Sequence, residues 1–328
     1  KWRQTSLGGA CLGEMGSCLL GALPSFMTSP RISIVISSFN QGNYLETAIQ
    51  SVLRQGYPDT EMIIVDGASA DSSLDVIRRY SGKLAWWVSE PDRGQSEAIN
   101  KGFTHCTGDI VTFLSSDDYY LPGAFVDVVE MLQRHPETGV IVGAFSFLEE
   151  GQARPNEPLK PFLGVPSPVD LSLGPPGVYR LHQVATFYTR RALDVVGHYV
   201  REDMKYVMDR ELLYRVCRAF PIALSEQTYG VFRRHSESKS TASILPFARE
   251  FAALYLSLQN GNASEDALRK KMARYRLSRG YVKFARAVHR FPVASIALLR
   301  AGFVYPENFL QRRYWKNYLM WNSSGNNR

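Results

Sequence analysis

The residues of this chain best suited to chemistry are two adjacent carboxylates, Asp117 and Asp118, delivered at the end of the apolar run Ile110-Val111-Thr112-Phe113-Leu114. Tyr119, Tyr120 and Leu121-Pro122-Gly123 then turn the chain away. A buried parallel strand that ends in acids places them where open α/β sheets bind their ligands. Two carboxylates there can hold a hard divalent cation, and the cation can hold a diphosphate. A plainer reading makes the pair the cap of the next helix. Asp66 ends a second apolar run, Glu61–Val65, and Asp209 opens the amphipathic stretch Met208–Ala219. As a residue, Asp209 is an acid of the kind the helix dipole favours in a first turn. His235 stands among Arg233, Arg234 and Lys239, the pattern of a surface histidine.

The elements that position these groups follow from periodicity. Arg31–Ser37 is a β-branched run suited to a buried strand, and Leu45, Ala48, Ile49, Val52 and Leu53 line one face of a helix over Asn43–Gln55. Strands are predicted at Glu61–Val65, Leu84–Val88, Ile110–Leu114 and Val140–Phe147, with helices up to Tyr80, over Ser96–His105 and over Ala124–Arg134. Such alternation predicts an α/β fold with a parallel sheet and helices on both faces. Four strand ends then share one crevice: Ser37-Ser38-Phe39-Asn40, Asp66-Gly67-Ala68-Ser69, Ser89-Glu90-Pro91-Asp92-Arg93-Gly94 and Asp117-Asp118. The Pro/Gly-rich stretch Gly151–Gly177 is too long for a plain connection and is expected to be a lid or substrate loop. Extended structure at Val184–Tyr188, a late strand at Tyr229–Arg233 and helices from Leu245 to Trp321, broken near Asn260-Gly261, Pro292 and Pro306, complete the prediction.

With 328 residues, 45% hydrophobic and 21% charged, the chain can bury a sizeable core. Cys11, Cys18, Cys106 and Cys217 form no C-x-x-C pair, against a zinc knuckle or disulfide framework and in keeping with a reducing compartment. No apolar run reaches the roughly 18 residues needed to span a bilayer. Residues 1–29 are expected to be a poorly ordered extension, with Met27 a plausible start. The net charge of +7 gathers beyond Leu245, where Tyr275, Tyr281 and Phe284 interleave with Lys and Arg. That segment suits either an anionic membrane, through 265–321, or a helical cap on the main domain. No G-x-G-x-x-G follows the first strand and no P-loop is present, so a dinucleotide or P-loop site is excluded and any nucleotide binding has to run through carboxylates and a metal.

ISIVISSFNQGNYLETAIQSVLRQGYPDTEMIIVDGASADSS, followed by PDRGQSEAINKGFTHCTGDIVTFLSSDDYYLPGAF, resembles family 2 glycosyltransferases from about Arg31 to Ser240. The resemblance implies a GT-A (Rossmann-like) fold, an α/β mostly parallel sheet flanked by helices, here with a C-terminal helical extension. It implies inverting, metal-dependent transfer of a sugar from a nucleotide diphosphate donor, UDP-linked, to a saccharide or lipid-linked acceptor hydroxyl. Cell-surface polysaccharide or glycolipid synthesis would be the setting, in the cytoplasm or on the cytoplasmic face of a membrane, with no nucleic acid partner. By resemblance, Ser37, Phe39, Asn40, Asp66, Arg93, Gly94 and Asp117 hold the nucleotide sugar. Asp118 and His235 serve a Mg²⁺ or Mn²⁺ ion, His182 and Gln183 face the acceptor, and Asp209 is the base. Glu97 replaces a shorter Asp common in relatives. The implied division is an extension over 1–29, a GT-A domain over 30–244 (nucleotide-sugar half 30–147, acceptor half 148–244) and basic helices over 245–328. The competing readings are a catalytically dead binding module of the same fold and a nucleotidyltransferase, which would need a Gly- and Arg-rich loop where Ser38-Phe39-Asn40-Gln41-Gly42 stands.

Overall fold

Ile32, Ile34 and Ile36 turn to one buried face of the sheet and Val35 to the other, which is why the first strand is apolar almost without interruption. The computed structural model describes residues 29–161, 181–239, 243–258, 262–288 and 291–306. Along the chain come β1 (Ile32–Ser38), α1 (Gly42–Leu53), β2 (Thr60–Asp66), α2 (Ser73–Tyr80), β3 (Trp86–Ser89), α3 (Gln95–Phe103) and β4 (Ile110–Ser115). The second half adds β5 (Tyr119–Tyr120), α4 (Ala124–Arg134), β6 (Val140–Glu149), β7 (Thr186–Thr189), α5 (Arg190–Val196), α6 (Met208–Ala219) and β8 (Ile222–Arg234). Three further helices follow, α7 (Ile244–Ser257), α8 (Ala263–Ala287) and α9 (Phe291–Val304).

The eight strands form one sheet in the order β3-β2-β1-β4-β7-β6-β8-β5. β3, β2, β1 and β4 are parallel, and their register sets Ser38 beside Asp66, Ser37 beside Ser115 and Asp66 beside Ser89. The four strand ends expected to share a crevice therefore lie side by side along one edge of the sheet. Beyond β4 the sheet is mixed rather than mostly parallel. β7 runs antiparallel to both β4 and β6, and β5 antiparallel to β8, while β6 and β8 are parallel. The regular β–α alternation ends at β6, and β7 returns with no crossover helix among the described residues, so it enters reversed.

β8 is much longer than the predicted Tyr229–Arg233, because Glu226 and Gln227 are exposed and break the apolar pattern. β5 and α5 were not predicted. The extension over 1–28, most of the Gly151–Gly177 stretch and the aromatic segment Arg312–Trp321 lie outside the described residues. The helices after Ile244 break where expected, between Ser257 and Ala263 and between Ala287 and Phe291. They are not separate from the sheet: Phe251, Leu254, Tyr255, Met272 and Ala273 share one core with Leu212, Val216, Ile99 and Val35. No helix among the described residues is long and apolar enough to cross a membrane.

Candidate active site

The loops after β1 and β2 are stitched together by short polar side chains. Asp66 is fully buried; its carboxylate accepts from the Ser69 amide at 2.9 Å, the Ser69 hydroxyl at 2.5 Å and the Ser89 hydroxyl at 2.7 Å. Asn40 returns the link, its amide donating to Ser69 Oγ at 2.8 Å and its Oδ1 accepting from the Ala70 amide at 2.8 Å. Asn40 and Ala68 take left-handed φ values of 50° and 60° to make the turns. Asp66 is thus placed as a keystone of this wall, enclosed rather than open to a ligand. Phe39 is the opposite: it is 61% exposed, a large aromatic face offered to the crevice where a planar base can stack.

Asp117 and Asp118 end β4, both buried. Asp118 Oδ1 accepts from the Arg233 amide at 3.0 Å, and Asp117 Oδ2 meets His235 Nε2 at 3.0 Å. Burial first, and then the charge of Asp117, pushes the Asp118 carboxyl well above the usual range, while the Arg233 amide and charge oppose it. The hydrogen bond to the Asp117 carboxylate raises the His235 imidazole, so this ring is placed as a charge partner of Asp117. The Arg233 guanidinium lies between the Tyr44 and Tyr119 rings, 5.2 Å and 4.9 Å from their centroids, and Tyr44 also packs on His235 at 4.9 Å. The end of β8 is thereby fastened over the acid pair from both sides. Beneath it Gln95 Nε2 donates to Ser37 Oγ at 3.2 Å and Ser115 Oγ at 2.9 Å, while its Oε1 accepts from Lys239 Nζ at 2.9 Å. Ser116 Oγ donates to Gln41 Oε1.

Arg93 and Gly94 open α3. Gly94 is its N-cap at φ 129°, a conformation open to glycine and strained for other residues. Glu97 reaches back to accept from the Arg93 amide at 2.7 Å and from Arg93 Nε at 2.9 Å. Arg93 also donates through Nη2 to Glu202 at 2.7 Å. The longer arm of Glu97 therefore has a role here, which is to hold Arg93. Arg93 is itself 76% exposed along its side chain at the rim.

The third part of the site comes from the second half of the chain. Asp209 sits in the first turn of α6, half-buried, with Arg210 Nε 4.0 Å away. Desolvation raises its carboxyl above the ordinary range, opposed by the Arg210 charge. Glu211 points elsewhere, as expected, bonding Arg215 through both oxygens at 2.9 Å. Arg210 donates to the Leu181 carbonyl, which ties α6 to His182. His182 packs between Phe145 and Phe232, and burial, with Arg210 and Arg234 nearby, lowers its imidazole to about 3. It is a neutral ring whose Nδ1 accepts from the Val184 amide at 3.3 Å. The Gln183 amide nitrogen is buried with no hydrogen-bond partner among the described residues. Gln95, Gln41, Tyr44 and Arg233 went unnoticed as site residues in the sequence. The first two are short-range punctuation of helix starts there, and only the fold brings the other two together.

The family model of glycosyl transferase family 2 matches residues 33–197, half of the chain and the half that carries this crevice. The chain belongs to glycosyl transferase family 2. This family member is 38% identical over 114 residues to an uncharacterized glycosyltransferase of Nostoc sp., covering 34% of this chain and 35% of that one. It is 26% identical to one of Rickettsia typhi over 69% of this chain and 71% of the relative. It thus spans about a third of the first of these relatives. Among solved structures, it superposes on Staphylococcus aureus TarS 1-349 in complex with UDP-GlcNAc with a TM-score of 0.56 at 17% identity, covering 90% and 91% of the two chains. A mannosyltransferase of Pyrobaculum calidifontis in complex with GDP-Man and Mn2+ gives a TM-score of 0.57 at 18% identity, over 92% and 87%. These likenesses show the GT-A fold.

Whether a divalent cation fits this site can be judged from its donors. Among the described residues no group of three or more His, Cys, Asp or Glu side chains is arranged to hold a metal alone. The acid pair is nevertheless two adjacent buried carboxylates, Asp118 with its proton affinity raised by burial and Asp117 beside it on His235. That fits Mg²⁺ or Mn²⁺, which take one or two carboxylates and complete their shell from phosphate oxygens and water.

Proposed function

We propose that the chain is an inverting, metal-dependent glycosyltransferase that moves a sugar from a nucleotide diphosphate donor, UDP-linked, to an acceptor hydroxyl in cell-surface polysaccharide or glycolipid synthesis. The observation that carries this reading is the division of labour among its acids. Asp117 and Asp118 are enclosed with His235 and Arg233, whereas Asp209 keeps a quarter of its side chain exposed and has its carboxyl raised by desolvation. A raised carboxylate that retains some exposure suits general base catalysis on a sugar hydroxyl. A single base acting on the acceptor implies direct displacement at the anomeric carbon and inversion. Phe39 stacks the base, Ser37, Asn40 and Asp66 shape its wall, Arg93 and Gly94 line the nucleotide, and Asp117 supports it. His182 and Gln183 meet the acceptor. A cation held by Asp118 and Asp117, with His235 orienting Asp117, would neutralise charge building on the diphosphate leaving group. The UDP-GlcNAc and GDP-Man held by two structural neighbours support a nucleotide sugar donor, and the TuaG protein of Bacillus subtilis, named for teichuronic acid biosynthesis and 30% identical over 42% of this chain, supports the polysaccharide setting.

The decisive measurement is release of nucleoside diphosphate from UDP-GlcNAc, UDP-glucose and GDP-mannose with Mn²⁺. Asp209→Asn should lower kcat by roughly 10²–10⁴-fold, the usual worth of a general base, and leave the affinity for UDP unchanged. Equal inactivity of wild type and variant on every donor and acceptor tried would favour the dead binding module. A second surface supports a location on the cytoplasmic face of a membrane: α9 leaves Val293, Ile296 and Leu299 40%, 52% and 42% exposed beside the basic α8.

A further inference from the structure

Glu250, in the middle of α7, has no visible role in the sequence. In the structure its carboxylate accepts from three consecutive backbone amides of another segment: Oε2 from Lys205 at 3.0 Å, Oε1 from Tyr206 at 2.7 Å and from Val207 at 2.9 Å. Val207 is the N-cap of α6 and offers no side-chain cap of its own. The amides of the turn that leads into this helix, its N-cap included, are therefore satisfied by a carboxylate from a helix later in the chain. Apolar contacts hold the same joint. The Phe247 ring packs edge-on to Tyr206 at 6.2 Å and against Phe251 at 5.8 Å, and the Arg276 guanidinium of α8 caps Phe251 at 4.0 Å.

We infer that Glu250 is a positioning residue for sugar transfer: it fixes the Lys205–Val207 turn so that Asp209 is presented from the first turn of α6. The inference rests on the reading of Asp209 as the base. It makes the C-terminal helices part of the catalytic apparatus rather than a detachable cap. A carboxylate is the right group because two oxygens with several lone pairs can serve three amides at once, which a single amide oxygen cannot do as well. The groups facing Asp209 are Arg210 on its own helix, Glu250 from α7 and the Tyr188 hydroxyl from β7. Burial, and then the charge of Glu250, raise the Asp209 carboxyl, while Arg210 lowers it. Glu250 therefore contributes to geometry and, in a smaller way, to the field at the base.

The test uses the full chain with Glu250→Ala, Glu250→Gln and Asp209→Asn. Nucleoside diphosphate release from UDP-GlcNAc or GDP-mannose with Mn²⁺ is followed from about pH 5 to pH 9. Glu250→Ala should lower kcat about 10–100-fold through misplacement of the base, with donor KM held within about threefold. Glu250→Gln should lose less and shift the acid limb of kcat to lower pH, since a charge that raises Asp209 is gone. Hydrogen exchange, which needs no donor, should show the Tyr206 and Val207 amides of Glu250→Ala exchanging about tenfold faster or more, with protection elsewhere unchanged. Unchanged exchange at these amides, or an unchanged kcat and pH profile in both Glu250 variants, overturns the inference. So does a parallel fall of kcat, donor affinity and global protection, which marks a purely structural residue. Full turnover by Asp209→Asn would instead sink the base assignment, and that result is read in its own variant.

Discussion

At the scale of single residues, the site separates groups that must be accessible from groups that must be enclosed. Asp118 is buried beside Asp117, and its raised carboxyl means that the ionised form costs stability at neutral pH. Asn in its place still offers an oxygen to the Arg233 amide. Asp118→Asn should therefore stabilise the ligand-free protein, on the order of 1 kcal/mol at pH 7 to 8, while lowering Mn²⁺-dependent turnover by roughly two orders of magnitude or more. Thermal melts with and without Mn²⁺ plus UDP check both halves, and a destabilised variant would contradict the account. His182 has the opposite pH signature. Its imidazole is lowered from 6.5 to about 3, so below pH 6.5 the unfolded chain takes up a proton that the folded chain refuses. Stability is lost as pH falls through that window. His182→Asn keeps an acceptor for the Val184 amide and should flatten the loss. The gain over wild type is about 1 kcal/mol near pH 5, discounted because part of the residue faces solvent. Asp117, Asp118 and Asp209 were legible in the sequence because acids at the end of an apolar run or at a helix start are conspicuous. Glu250 and Arg233 were not, since each acts through backbone amides or rings far away in the chain.

At the scale of elements, the first half of the fold could be read almost to the residue, and the reason is physical. Strands buried on both faces are continuous apolar runs, and α1 and α4 each bury one stripe, so β1 to β4 and their helices announce themselves. Strand order and direction beyond β4 were hidden, because β7 is only four residues long and nothing in Thr186–Thr189 states which neighbour it pairs with. β5, two residues long, carries no periodicity at all. The seat of α3 on the sheet is more specific than its periodicity suggests. A Cβ on Gly102 would stand 2.3 Å from Val35 Cγ1 and 2.9 Å from Cγ2, so this glycine allows α3 to lie directly on β1. Gly102→Ala should destabilise the fold by about 1–3 kcal/mol through overpacking, against a gain of up to about 1 kcal/mol in helix propensity. Because Gln95 at the head of α3 binds Ser37, Ser115 and Lys239, UDP affinity should fall as well. In a denaturation cycle, adding Val35→Ala opens the space, and the double variant should cost less than the two single costs added together.

At the scale of the whole molecule, the open matter is what the C-terminal helices do besides holding α6. α7 and α8 are committed to the main core through Phe251, Leu254, Tyr255, Met272 and Ala273. α9 is packed on one side only: Ala294, Ala297, Leu298 and Ala301 face α8, while Val293, Ile296 and Leu299 recur at three-residue spacing on the outside. A helix apolar on both sides needs a second apolar neighbour, and at 14 residues α9 is too short to span a bilayer. Lying in the headgroup region suits its length and the Lys270, Lys271, Arg274 and Arg279 carried by the preceding helix. If that is its setting, binding to vesicles of anionic lipid should be tight at low salt and should weaken as salt rises over a few Debye lengths. Replacing Val293, Ile296 and Leu299 together by Gln should reduce co-sedimentation about tenfold or more, given some 25 cal/mol for each Å² of apolar area withdrawn from water. Turnover of a soluble donor–acceptor pair should stay near wild type, because none of the three lies in the catalytic crevice. Binding to neutral vesicles as strong as to anionic ones would remove the charge argument, and no binding to either at low salt would return α9 to the role of a helical cap.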